Sequence, residues 1–163
     1  MELDNFQDIK DFPNYKINEN GEIFSKIRNR LLKIKVNKGY RKICLRKDNK
    51  GYTKSLHRLL GIQYLPNPNN FPCIDHINRN KLDNSLTNLR WVSYATNAKN
   101  KSSKKNATSS YVGVRKTPNI KKPYRAETTF QGKKYNIGYF ETEEEAYQAY
   151  KQYNLEKFDI EIV

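Results

Sequence analysis

Residues 71–100, FPCIDHINRNKLDNSLTNLRWVSYATNAKN, decide how the chain is read. A short apolar run ends in Asp75-His76. An Asn-rich stretch follows, then the block Asn88-Leu89-Arg90-Trp91, then Asn97. Asn88 stands 12 residues beyond His76, and Asn97 stands 21 beyond it. Ile77 to Leu86 is too polar to bury a face, so it reads as a loop. The simplest shape is a strand ending at His76, a loop, a strand through Leu89-Arg90-Trp91, and a short helix. Ser93 can cap that helix, which carries Asn97 about one turn in.

Working outward, His57 to Tyr64 (HRLLGIQY) has a helical apolar pattern, and Pro66-Asn67-Pro68 stops it. Residues 13–56 alternate as short strands. Tyr15-Lys16-Ile17 turns through Asn18-Glu19-Asn20-Gly21 into Glu22-Ile23-Phe24-Ser25, a hairpin signal. Leu32-Lys33-Ile34-Lys35-Val36 and Lys42-Ile43-Cys44-Leu45-Arg46 follow a period of two, which gives one apolar face and one basic face. Lys99 to Ser110 is almost free of apolar residues and reads as a basic linker. Beyond it, Tyr111-Val112-Gly113-Val114, Tyr124 to Phe130 and Tyr135-Asn136-Ile137 read as three strands. Thr142-Glu143-Glu144-Glu145 then opens a helix as a capping box, and Ala146, Ala149, Tyr150 and Tyr153 share one helical face.

Charge narrows the function. The chain carries 31 Lys and Arg against 17 Asp and Glu, a formal +14, which points to a polyanionic partner. Lys26 to Lys54 holds twelve bases and one acid, Asp48, whereas residues 111–163 are nearly balanced. No run of about 18 apolar residues exists, so a membrane partner is not expected. The acidic, polar opening Met1 to Lys10 does not read as a signal peptide, which leaves an intracellular protein acting on nucleic acid as the expectation. Cys44 and Cys73, with His57 and His76, lack CxxC-like spacing; no structural zinc is expected, and both cysteines are expected to be free core thiols.

Residues 71–100, with the lead-in HRLLGIQYLPNPNN, resemble the HNH homing endonucleases in the H-N-N variant, where asparagine replaces the last histidine. Residues 6–25 resemble the small N-terminal module that accompanies these nucleases. Residues 111–157, with YVGVR, YRAE, NIGYF and ETEEEAYQAY, resemble the AP2 DNA-binding domain. The implied fold class is α+β: a small antiparallel N-terminal sheet, a ββα-metal module, and a three-stranded sheet with one helix. The expected divisions are 1–56, 57–100, a linker at 101–110, and 111–163.

The resemblance implies roles. Asp75 and Asn97 would ligate one divalent ion, His76 would be the general base, and Asn88 would orient His76 or hold the loop. A carboxylate and an amide oxygen are hard donors suited to Mg²⁺ or Mn²⁺. His57 reads as structural, and Asp83 and Asn84 as loop-formers. Lys33, Lys35, Arg41 and Arg46 on the basic sheet, and Arg115, Arg125, Glu127, Thr129, Lys134 and Asn136 in the AP2-like part, would contact double-stranded DNA. A monomeric endonuclease with no obligate protein partner is the expectation; the alternative is a catalytically inactive DNA-binding regulator.

Overall fold

The computed structural model describes residues 3–100, 107–117 and 121–162. Lys101, Lys104 and Lys105 of the expected linker lie outside the described residues. The chain divides into two units, Met1–Ser93 and Tyr94–Val163.

In the first unit, β1 (Gln7–Ile9), β2 (Phe12–Ile17), β3 (Ile23–Ser25) and β4 (Arg30–Leu31) form a four-stranded antiparallel sheet in chain order. The β2–β3 turn closes on Asn18, which is nearly fully buried. Its carbonyl accepts from Gly21 N at 2.9 Å and its side-chain oxygen from Glu22 N at 2.9 Å. Gly21 sits at φ +78°, in the left-handed region that glycine enters without steric cost. A second antiparallel sheet joins β5 (Lys35–Asn37), β6 (Tyr40–Lys47) and β7 (Lys50–Ser55). Asp48 and Asn49, at φ 50° and 59°, link β6 to β7, as a tight hairpin with two left-handed residues requires. Next come α1 (Leu56–Tyr64) and the antiparallel pair β8 (Cys73–His76) and β9 (Leu89–Val92).

One core joins the three sheets and α1. It joins Ile9, Phe12, Ile17 and Ile23 of the first sheet, Ile43 and Leu45 of the second, Leu56, Leu59 and Leu60 of α1, and Ile74 and Leu89 of the β8–β9 pair. Residues assigned from sequence to separate modules thus share one interior.

Two sequence expectations are corrected here. Leu32 to Ile34 is not strand: it is a crossing segment between two sheets. Leu32 N still donates to Ile23 O at 2.8 Å, and Leu32 and Ile34 pack on the core, but pairing with β6 begins only at Lys35. Cys44 is exposed rather than a core thiol, because the period of two that buries Ile43 and Leu45 turns it to the opposite face; Cys73 is half-buried.

The second unit begins with α2 (Tyr94–Lys99). An antiparallel sheet follows, made of β10 (Val114–Lys116), β11 (Tyr124–Phe130) and β12 (Lys133–Phe140), with α3 (Glu143–Phe158) packed against it. The capping box forms: the Thr142 hydroxyl accepts from Glu145 N, and the Glu145 carboxylate accepts from Thr142 N. The buried face of α3 is Ala146, Tyr147, Tyr150 and Asn154, with Ala149 and Tyr153 only half-buried. Asn154 is fully enclosed and satisfied, donating to Tyr150 O at 2.7 Å and accepting from the Thr128 hydroxyl at 2.9 Å. No helix among the described residues is long and apolar enough to cross a membrane.

Gly113 lies at φ +81° directly against the ring of buried Tyr150, where an added Cβ would collide with ring atoms. Gly113→Ala is expected to destabilise the protein by about 2–4 kcal/mol, through left-handed strain plus overpacking. Urea unfolding checks this, and a midpoint equal to wild type would contradict the close packing of the Gly113 backbone on Tyr150.

Candidate active site

The register of α1 on β8 builds the centre of the first unit. Four residues of helix and two residues of strand advance nearly the same distance, about 6 Å and about 6.6 Å. Gly61 lies against Ile74, close enough that a Cβ there would overlap the Ile74 side chain. One helical turn earlier, His57 meets His76, two residues further along the strand. Their ring centroids are 4.9 Å apart in an edge-to-face arrangement. Tyr40, at the start of β6, packs 5.4 Å from His57 and 6.3 Å from His76, and Lys81 lies 4.8 Å over its outer ring.

His76 is buried, at 4 % exposure. Its Nε2 lies 3.4 Å from Asn84 Oδ1. Asp75 points to the other face of the strand, cross-strand from Arg90, whose guanidinium approaches its carboxylate at 3.7 Å. His57 is buried as well, and its Nδ1 has no hydrogen-bond partner among the described residues. Burial pushes the His57 imidazole down to about 4, and the neighbouring His76, Arg58 and Lys42 act in the same direction. Near neutral pH His57 is therefore uncharged.

Asn88 holds the loop between the strands. Its side-chain oxygen accepts from Asn78 N at 2.9 Å, and its amide donates to Asn78 Oδ1 at 2.9 Å and Asp83 O at 2.8 Å. Asp83 in turn accepts from the Ser85 hydroxyl and backbone and from Asn78. These bonds, the Ser85 hydroxyl first, hold its carboxyl below the usual range. Among the described residues no three His, Cys, Asp or Glu side chains cluster as a metal cage. The donor set next to His76 is the Asp75 carboxylate. Hard oxygen donors of this kind fit a cation that keeps most of its water shell and do not fit a four-ligand zinc site. Asn97 stands on α2 in the second unit.

The candidate DNA contacts of the first unit separate into two places. Lys33, Lys35 and Arg46 line one groove of about 470 Å³, joined by Arg28, Arg30 and Lys42, and no acidic side chain among the described residues lines it. Arg41 instead lines a cleft of about 660 Å³ with Glu19, Asn80, Asp83 and Asn84. In the second unit, Arg115, Arg125, Glu127, Thr129, Lys134 and Asn136 share one face by cross-strand register. Glu127 joins its two neighbours there, bonding Arg115 at 2.9 Å and approaching Arg125 at 3.5 Å, while Arg125 also donates to Asn136 at 3.2 Å. Sequence reasoning does not place Tyr40 beside His76, and it reads Asn84 as a loop-former. The one available signal for His57 is that it is one of only two histidines.

Comparisons with known proteins bear on the same residues. Residues 54–99 match the HNH endonuclease family model, and residues 4–46 match the NUMOD4 motif. DNA endonuclease I-HmuI of Bacillus phage SP01 is 36% identical over 101 residues, covering 61% of this chain and 58% of that protein. H-N-H endonuclease F-TflII of Escherichia phage T5 is 37% identical over 92 residues, 55% of this chain and 48% of that protein. An uncharacterized HNH endonuclease of Acanthamoeba polyphaga mimivirus is 42% identical over 79 residues, 48% of this chain and 24% of that protein. The solved structure of DNA binding and cleavage by the HNH homing endonuclease I-HmuI superposes with a TM-score of 0.53 at 36% identity, covering 61% of this chain and 57% of that one. The chain thus spans between 24% and 58% of the length of these relatives.

The depressed His57 makes a pH prediction. The unfolded chain protonates this imidazole near 6.5 and the folded one only near 4, so the unfolded state binds more protons in between. The stability tied to a neutral His57 is complete above pH 6.5 and is lost as pH falls toward 4. His57→Gln lacks this titration, so its stability difference from wild type should change steadily across that window in urea unfolding. A difference independent of pH would mean that His57 is not held neutral.

Proposed function

From a chain that carries an HNH endonuclease domain and a NUMOD4 motif homologous to I-HmuI, we propose a metal-dependent DNA endonuclease of the homing type. It acts as a monomer on double-stranded DNA and cuts one strand at a time. The observation that carries this reading is the pairing of Asp75 and His76 at the end of β8, on opposite faces of one strand, beside a loop tied down by Asn88.

His76 takes a proton from the attacking water, since an imidazole can accept one near neutral pH. Asn88 keeps the loop that flanks His76 in one conformation. Asp75 and, by its spacing in the chain, Asn97 would hold one Mg²⁺ or Mn²⁺. When bound, that ion would polarise the phosphoryl oxygen and neutralise the leaving 3′-oxygen. The groove lined by Lys33, Lys35 and Arg46 tracks phosphates through charge alone, which supplies affinity without reading sequence. The supporting observation is that six cations, and no acid among the described residues, line it. The second unit, read as an AP2-like module, presents Arg115, Arg125, Glu127, Thr129, Lys134 and Asn136 to base edges. An arginine held in a fixed fork, as Glu127 and Asn136 hold Arg125, is suited to guanine.

Nicking of supercoiled plasmid with Mg²⁺ or Mn²⁺ tests the activity. His76→Ala should lower cleavage by roughly 10²-fold or more, the usual contribution of a general base, while DNA affinity stays within about twofold. Cleavage that survives the substitution unchanged would remove His76 from its role, and no cleavage under either metal would favour an inactive DNA-binding regulator. Replacing Lys33, Lys35, Lys42 and Arg46 together by alanine should flatten the plot of log affinity against log salt, by about 0.9 for each phosphate no longer neutralised. An unchanged slope would move the phosphate-binding surface elsewhere.

A further inference from the structure

We infer that Tyr139 is a specificity-determining residue of the second unit, whose ring covers the 5-methyl group of a thymine adjoining a guanine held by Arg125. The inference deepens the reading of that unit as a base-contacting module and rests on it. A β-bulge puts Tyr139 where it can act. Buried Ala126 and Thr128 mark the core face of β11, so Arg125, Glu127 and Thr129 stand on its open face. Strict alternation along β12 from Asn136 would bring Gly138 and Phe140 to that face and send Tyr139 inward. The register prevents this. Ala126 pairs with Gly138 but Glu127 pairs with Asn136, so Ile137 is an extra residue and the phase of β12 shifts by one. Ile137 and Phe140 accordingly pack on the core, and Tyr139 becomes the cross-strand partner of Arg125 on the open face. Its ring stays 43 % exposed there, with apolar area that a ligand can bury.

Arg125 is held from several sides. Its Nε donates to Asn136 Oδ1 at 3.2 Å, and one terminal nitrogen approaches Glu127 at 3.5 Å. The Tyr139 ring centroid lies 5.8 Å from the guanidinium carbon. Arg115 is tied to the same Glu127 carboxylate at 2.9 Å, so the row across the three strands is arranged before any ligand arrives. A guanidinium carries five N–H donors in one rigid plane, so the edge made by its two terminal nitrogens fits O6 and N7 of a guanine. A ring beside that guanidinium reaches the level of the next base pair, because successive pairs are about 3.4 Å apart along the duplex. Of the groups that bases show in the major groove, the thymine methyl is the apolar one. Cytosine shows an amino group instead, which a ring set over it would desolvate without an acceptor. Tyr139 therefore favours thymine over cytosine beside the guanine, a preference that hydrogen bonds from Arg125 do not supply.

Full-length wild type, Arg125→Ala and Tyr139→Ala are each used to select duplexes from a random-sequence library without divalent metal, so that binding is read apart from cleavage. Wild type should return a guanine next to a thymine at one place in its site. Arg125→Ala should lose the guanine. Tyr139→Ala should keep the guanine and accept any base at the thymine position, whereas Tyr139→Phe, which retains the ring, should select as wild type does. Replacing that thymine by deoxyuridine removes only the methyl. It should weaken wild-type binding about fourfold, the ordinary worth of one buried carbon, and leave binding by Tyr139→Ala unchanged. An unaltered selection by Tyr139→Ala, or equal binding of the thymine and deoxyuridine duplexes by wild type, would overturn the inference even where Arg125-dependent choice of guanine upholds the base-contacting reading. Wild type that selects no sequence, or a selection that neither alanine substitution alters, would overturn both.

Discussion

The packing of α1 across β8 is the constraint on which the first unit depends. A glycine at position 61 lets the helix approach Ile74 until the next turn of helix lies over the end of the strand. That approach brings His57 to His76, and it buries both rings in a place otherwise lined by Tyr40. The shared core from Ile9 to Leu89 keeps the helix pressed on the strand. A buried imidazole without a hydrogen-bond partner, as His57 is at Nδ1, stays neutral, so one member of the pair contributes shape rather than charge.

Around this packed centre the polar loop is ordered from within. Asn78, Asp83, Asn84 and Asn88 hydrogen-bond mainly to one another and to nearby backbone. A loop this polar cannot be held by apolar burial; it needs side chains that both donate and accept, and asparagine does both. The Asn-rich composition of residues 77–88 is therefore structural as well as chemical. Among the described residues, six cations line the groove beside β4 to β6, whereas Arg41 is the one cation lining the cleft that Asn84 lines. The second unit solves a similar problem with fewer parts, since Thr128 and Asn154 satisfy each other inside a core of tyrosine, alanine and isoleucine.

The amino-acid sequence by itself determined the elements whose signals are local. The β2–β3 hairpin follows from Asn18 to Gly21, α1 from the HRLLGIQY pattern, and α3 from the Thr142–Glu145 capping box, because each depends on neighbours a few residues apart. The spacing of Asp75, His76 and Asn88 likewise sufficed to foresee two strands joined by a loop. Only the tertiary structure decided the rest. It ended the strand expected at Leu32, exposed Cys44, separated Arg41 from Lys33, Lys35 and Arg46, and set His57, Tyr40 and Asn84 around His76. Those outcomes depend on which sheet edge is free to pair, on strand phase, and on packing between residues up to 36 positions apart, as from Tyr40 to His76. Periodicity records that a side chain turns inward; it carries no information about which distant side chain it will meet there.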